Sequence, residues 1–97
     1  MQIDRKKIEA NLPKKGFVEE KSDHNYFYHE YRGRRTGAYT YTSFGSKYKV
    51  YPVELLKMMK FQLRLDTISQ VVDLFKCPME EADYNRILQD KGIITTT

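Results

Sequence analysis

The sequence predicts an α+β domain: a three-stranded antiparallel sheet with helices packed on one face, in the order α-β-β-β-α-α-α. Three observations predict it. Two alternating runs, residues 22–31 and 36–44, are joined by the basic glycine turn Arg32-Gly33-Arg34-Arg35, which is a β-hairpin signal. After residue 51 the apolar spacing changes from two to the three-and-four rhythm of helices. Finally, 97 residues with 40% hydrophobic and 31% charged side chains suit one globular domain, with no internal repeat or low-complexity linker.

Taken in order, Asp4 to about Asn11 reads as a short helix. Asp4 is the N-cap, Ile3 and Ile8 form a hydrophobic staple, and Arg5, Lys6 and Glu9 face outward. Pro13 disfavours helical geometry at Leu12 and ends the helix, and Lys14-Lys15-Gly16 is a turn with solvated lysines. Phe17–Lys21 is the first strand, anchored inward by Phe17, and Ser22–Asn25 is the polar connection to the second. In the third, Ala38, Thr40 and Thr42 share one face while Tyr39, Tyr41 and Ser43 share the other. A helix from Pro52 to about Leu65 carries Leu55, Leu56, Met59 and Leu63. Asp66 caps a second with Ile68, Val71, Val72 and Phe75, broken at Cys77-Pro78. A last helix over 83–91 follows Glu80 and Glu81, turns Tyr84, Ile87 and Leu88 inward, and stops at Gly92.

The formal net charge of +4 is unevenly spread. Residues 1–35 hold nine Lys and Arg against six Asp and Glu, residues 36–60 four against one, and residues 61–97 four against six. The half that contains the hairpin is therefore cationic, which favours an acidic partner such as nucleic acid. The tyrosines crowd the same half, and a tyrosine row on a sheet reads first as core packing and cross-strand pairing, second as a base-stacking platform. Strand parity puts His24, Tyr26, Tyr28 and Glu30 on one face and Phe27, His29 and Tyr31 on the other, so the two histidines do not form an acid–base pair. The single cysteine, Cys77, reads as a small buried hydrophobe in a reducing compartment. With no apolar leader and no stretch long enough to span a membrane, the expectation is a cytoplasmic protein with no membrane partner. No carboxylate or Cys/His cluster has metal-ligand spacing, so neither metal nor cofactor is expected.

The stretches Lys14-Lys15-Gly16-Phe17, Ser22-Asp23-His24-Asn25-Tyr26-Phe27 with His29, Arg32-Gly33-Arg34-Arg35 and Ile87-Leu88-Gln89-Asp90-Lys91-Gly92-Ile93 together resemble the HicA family of bacterial and archaeal toxins. Lys14-Lys15-Gly16-Phe17 is similar to the end of the family's Lys-rich first helix. Ser22-Asp23-His24-Asn25-Tyr26-Phe27 falls where the family has Gly-Ser-His followed by aromatic residues, and His29 where it often has a second histidine. Arg32-Gly33-Arg34-Arg35 looks like its Asp-Gly-Arg-Arg hairpin, and Ile87-Leu88-Gln89-Asp90-Lys91-Gly92-Ile93 is similar to its ending. The sequence departs from the pattern in having Ser22-Asp23 before the histidine and Arg32 in place of an acidic residue. The match implies one domain over 1–97, with a core of 3–44 and 79–93 and an added helical segment at about 45–78.

The resemblance implies a fold like the double-stranded RNA-binding domain and the activity of an mRNA interferase from a toxin–antitoxin system. It implies RNA, mRNA in particular, as substrate and a cognate HicB-like antitoxin as partner. Only His24 matches the family's catalytic histidine. The chemistry is coherent: RNA carries its own nucleophile, the 2′-OH, so cleavage needs a base, an acid and cationic stabilisation but no metal, and an imidazole with an ordinary pKa of ~6.5 suits the proton transfer. Lys21, Arg32, Arg34 and Arg35 are the cations near it in sequence and the expected RNA-binding residues. Two alternatives stand beside this: a non-catalytic RNA-binding module of the same fold, and a protein-interaction domain that uses the aromatic row, the acidic C-terminal part and the extra helices.

Overall fold

The computed structural model describes residues 2–45, 48–76 and 78–95. The chain runs β1 (Gln2–Asp4), α1 (Arg5–Asn11), a 3-10 turn (Leu12–Lys15), β2 (Phe17–Lys21), β3 (Asn25–Tyr31), β4 (Arg34–Thr42), β5 (Val50–Pro52), α2 (Val53–Gln62), α3 (Ile68–Phe75) and α4 (Glu81–Asp90). It is an α+β fold whose main sheet is antiparallel in the order β2-β3-β4, with the four helices against one face. The expectation for Cys77 lies outside the described residues. Among those residues no helix is long and apolar enough to cross a membrane.

The hairpin forms where the sequence places it, and the turn chemistry shows why. β3 and β4 are joined by two residues, Arg32 (φ 53°) and Gly33 (φ 79°), with Tyr31 paired to Arg34. Two consecutive positive φ values mark the tight hairpin turn whose twist matches the strands, and glycine is the residue that takes the second position without steric cost. Arg34 and Arg35 belong to β4 rather than to the turn. Farther along, the register steps from Tyr28↔Tyr39 to Glu30↔Arg35, so β4 carries two extra residues opposite His29. Gly37, at φ 94°, accommodates this bulge.

One apolar cluster draws on the main sheet and on all four helices. Ile8, Leu12, Phe27, Leu56, Met59, Leu63, Val71, Leu74, Phe75, Tyr84 and Leu88 are all fully buried in it. Residues from α2 and α3 thus contribute to the same core as the sheet. The predicted stripes of α2 and α3 face this core, with Leu55, Ile68 and Val72 partly buried, and fully buried Leu74 joins them although the spacing does not single it out.

Several local expectations are corrected. Residues 2–4 and 50–52 pair as a separate two-stranded ladder with Ile3 opposite Tyr51, a contact too short to show a periodicity. Asp4 occupies the N-cap position of α1 but its side chain makes no cap. Helix α3 is capped by Thr67, whose hydroxyl accepts from the Gln70 N–H while Gln70 accepts from the Thr67 N–H. Asp66 instead pairs with Lys91 at 2.6 Å. α2 ends at Gln62, three residues early, because Arg64 turns to φ 61°.

Arg5 and Glu9 are not outward ornaments of α1. Arg5 donates to the carbonyls of Ser43 (2.7 Å) and Gly45 (2.6 Å), and Glu9 accepts from Thr42 at 2.6 Å and Asn25 at 3.3 Å. Lys15 is likewise buried rather than solvated, and its ammonium donates to the carbonyls of Met79 and Lys76 beyond the C-terminus of α3. Cation and helix end suit each other electrostatically. Lys15→Met, which keeps the aliphatic stem, is expected to lower stability by about 1.5–3 kcal/mol, whereas exposed Lys14→Met stays within about 0.5 kcal/mol. Urea unfolding of the two variants checks this, and equal midpoints would contradict the buried ammonium contacts.

Candidate nucleic-acid interface

The face of the sheet away from the helices carries the tyrosines. Tyr26 and Tyr28 of β3 and Tyr39 and Tyr41 of β4 are all half-buried, while Phe27, Ala38, Thr40 and Thr42, the alternate residues, are buried beneath. The row makes the expected cross-strand pairs but does not enter the core, which corrects the preference for core packing. Tyr26 and Tyr28 stack at 5.8 Å with an interplanar angle of 13°, Tyr28 faces Tyr39 at 6.3 Å, and Tyr26 lies against Tyr41 at 5.5 Å. Four phenol rings thus make a continuous amphipathic surface.

His24 sits at the end of this row, in the β2–β3 turn. The turn is closed by the Ser22 N–H donating to the His24 carbonyl at 2.9 Å. The imidazole is 39% exposed and meets the Tyr41 ring edge-on at 5.0 Å. Its Nδ1 is shielded from solvent and lies 3.3 Å from Asp23 Oδ2, an ion-pair distance rather than a well-formed hydrogen bond. The Ser22 hydroxyl, and after it His24, hold the Asp23 carboxyl below its ordinary value. Burial, and after it the Asp23 charge, push the Tyr26 phenol up. In the sequence Asp23 is only part of the polar connection; its adjacency to His24 is what sets its carboxylate beside the imidazole.

The cations do not assemble around His24. Arg32, Arg34 and Arg35 border one groove of about 390 Å³ with Tyr31 and the chain after α4, at the hairpin end of the sheet. Arg32 is separated from His24 by the seven residues of β3, roughly 23 Å at ~3.3 Å per residue, whereas Arg35, opposite Glu30, reaches back only as far as Tyr28. Arg35 lies over the Tyr28 ring at 3.9 Å and pairs with Glu20 at 2.9 Å, and Arg32 sits 5.2 Å from the Tyr31 ring. Lys21 is exposed near His24 in the chain, but the register sets it opposite Asn25, on the side of the sheet that turns to α1.

His29 faces the helices, as parity requires. It is completely buried, with Nδ1 2.9 Å from Thr36 Oγ1 and Nε2 3.0 Å from Asn85 Oδ1 of α4. Donation from Nε2–H to the Asn85 carbonyl oxygen leaves Nδ1 to accept from the Thr36 hydroxyl, which satisfies a neutral ring. Burial pushes its pKa down, opposed by the Asn85 contact. His29 is a core link between hairpin and α4, not a reactive group. No family model matches this chain, and no curated protein or solved structure does either.

Proposed function

We propose that the chain is a metal-independent RNA endonuclease of the HicA-like toxin type, holding single-stranded RNA across the open tyrosine face and cutting it beside His24. The observation that carries this reading is the accessible imidazole, with its carboxylate neighbour, at the end of a continuous aromatic row. Bases stack on such rings irrespective of sequence. In the reaction the RNA 2′-oxygen bonds to the adjacent phosphorus as its proton leaves to a base. The P–O5′ bond breaks, and the 5′-oxygen takes up a proton from an acid. The products are a 2′,3′-cyclic phosphate and a 5′-hydroxyl, and His24 serves one of the two proton transfers. A cognate HicB-like antitoxin is the corresponding proposed partner.

One observation favours a second reading, an RNA-binding module without hydrolysis: of the arginines that would neutralise a phosphorane, Arg32 and Arg34 lie at the far end of β3 from His24 and Arg35 is held over Tyr28. In either reading those arginines contact phosphates flanking the stacked bases. Neutralising Arg32 and Arg34 is expected to weaken binding and flatten the log–log salt dependence by about 0.7 per lost contact. Arg35, already paired with Glu20, is expected to change it less. Fluorescence anisotropy at several salt concentrations measures the slope, while product analysis on the same samples decides between cutting and holding. An unchanged slope would move the RNA surface elsewhere.

A further inference from the structure

Beside His24 the open face falls into a cleft of about 310 Å³ that the tyrosine row does not include. Its walls are His24, Tyr41, Tyr48 and Tyr51, and α2 supplies Leu55 and Met58. Ser43 adds a hydroxyl that is not phenolic. The arrangement is held from below: Tyr51 is buried, and its hydroxyl accepts the Ser43 N–H at 2.8 Å. Leu55 packs against the main core. The rim is accessible, since Tyr48 and Met58 are each 40% exposed.

Volume and lining together restrict the occupant. About 300 Å³ is the small end of ligand sites, enough for one ring system rather than an extended ligand. Three phenols, an imidazole, a thioether and an isobutyl group favour a flat, polarisable ring over a sugar or a phosphate. The cleft shares Tyr41 and His24 with the open face, so a ring entering it is continuous with rings stacked on Tyr26 and Tyr28.

We infer that this cleft receives one unstacked nucleobase of the bound RNA, the base of a nucleotide next to His24. This rests on the RNA-binding reading above and extends it. Bases stacked on the tyrosine row contribute affinity without choosing a position, whereas a base that must leave the stack to enter a walled cleft fixes which ribose lies against the imidazole. The cleft thereby sets the register of the strand relative to His24.

The experiment uses wild-type protein labelled at its methionine methyl groups and a short 2′-O-methyl RNA, which its blocked 2′-oxygens protect from cleavage. Met58→Leu identifies the Met58 signal, and fluorescence anisotropy measures affinity in parallel. The expected result is that RNA shifts the Met58 methyl resonance upfield through the ring current of the base, with contacts to base protons. Tyr48→Ala is expected to weaken binding about 5- to 150-fold, as for loss of one base–aromatic stack, while Tyr48→Phe keeps it. RNA that binds with normal affinity and leaves the Met58 methyl unmoved overturns the cleft and spares the RNA reading. An absence of RNA binding overturns both.

Discussion

His24→Ala is expected to lower RNA cleavage by about 10²–10⁴-fold, the usual cost of losing one general acid–base group, and to abolish toxicity on induction in a bacterial host. The fold should survive the change. The ring is 39% exposed, lies in a turn and, among the described residues, touches Asp23 at 3.3 Å and the Tyr26 and Tyr41 rings edge-on, so far-ultraviolet circular dichroism and the unfolding midpoint should stay close to the wild type. Asp23→Asn is expected to reduce cleavage less, because it removes only the group beside Nδ1. EDTA should leave the wild-type rate unchanged, since the nucleophile is the substrate's own 2′-OH. Equal cleavage by wild type and His24→Ala would reject the assignment, and RNA that binds but is never cut by wild type would leave the binding module.

The second large effect lies at His29 and is one of stability. Parity alone makes this residue dispensable for chemistry at His24 and predicts a mild alanine phenotype. Its complete burial between Thr36 and Asn85 changes that expectation. His29→Ala opens a cavity and strands both hydrogen-bonding partners, at a cost of about 3 kcal/mol or more, a large part of a small domain's stability of about 5–15 kcal/mol. Any loss of activity should therefore track loss of circular dichroism, unlike the loss at His24.

The same burial makes the fold sensitive to acid. The folded ring binds a proton less readily than the unfolded one, whose ordinary value is 6.5. Above that pH both states are neutral and the contribution is complete. Below it the unfolded chain takes up a proton that the folded chain does not, so stability falls until the pH passes the folded value. The slope is at most about 1.4 kcal/mol per pH unit. Urea midpoints for wild type and His29→Gln between pH 7.5 and 5 measure the difference, and parallel curves would show that the ring is not held neutral.

Much of this was legible in the residues. The turn Arg32-Gly33, the alternation on either side and the helical stripes Leu56-Met59-Leu63 and Val71-Phe75 follow from local sterics and from periodicity, which act over a few residues. What was misread acts across the chain. Lys15 looks like a solvated lysine because the carbonyls of Lys76 and Met79 lie more than sixty positions away. Asp66 looks like a helix cap because its partner Lys91 is 25 residues on. The cleft beside His24 joins residues of the turn, β4, β5 and α2, and no spacing in the chain announces that meeting.

By itself the sequence determined which residues share a sheet face, because the side chains of a strand alternate with a period of two whatever surrounds them. It therefore placed His24 with Tyr26 and Tyr28, and His29 with Phe27. Only the tertiary structure decided which face the helices cover, and the covered face is not the tyrosine-rich one. Ala38, Thr40 and Thr42 are small, so the helices approach β4 closely; Gln62 of α2 accepts from Thr40 at 2.8 Å and Glu9 of α1 from Thr42 at 2.6 Å. Tyrosine combines an apolar ring with a polar tip, so the row of phenols tolerates water on the face left open.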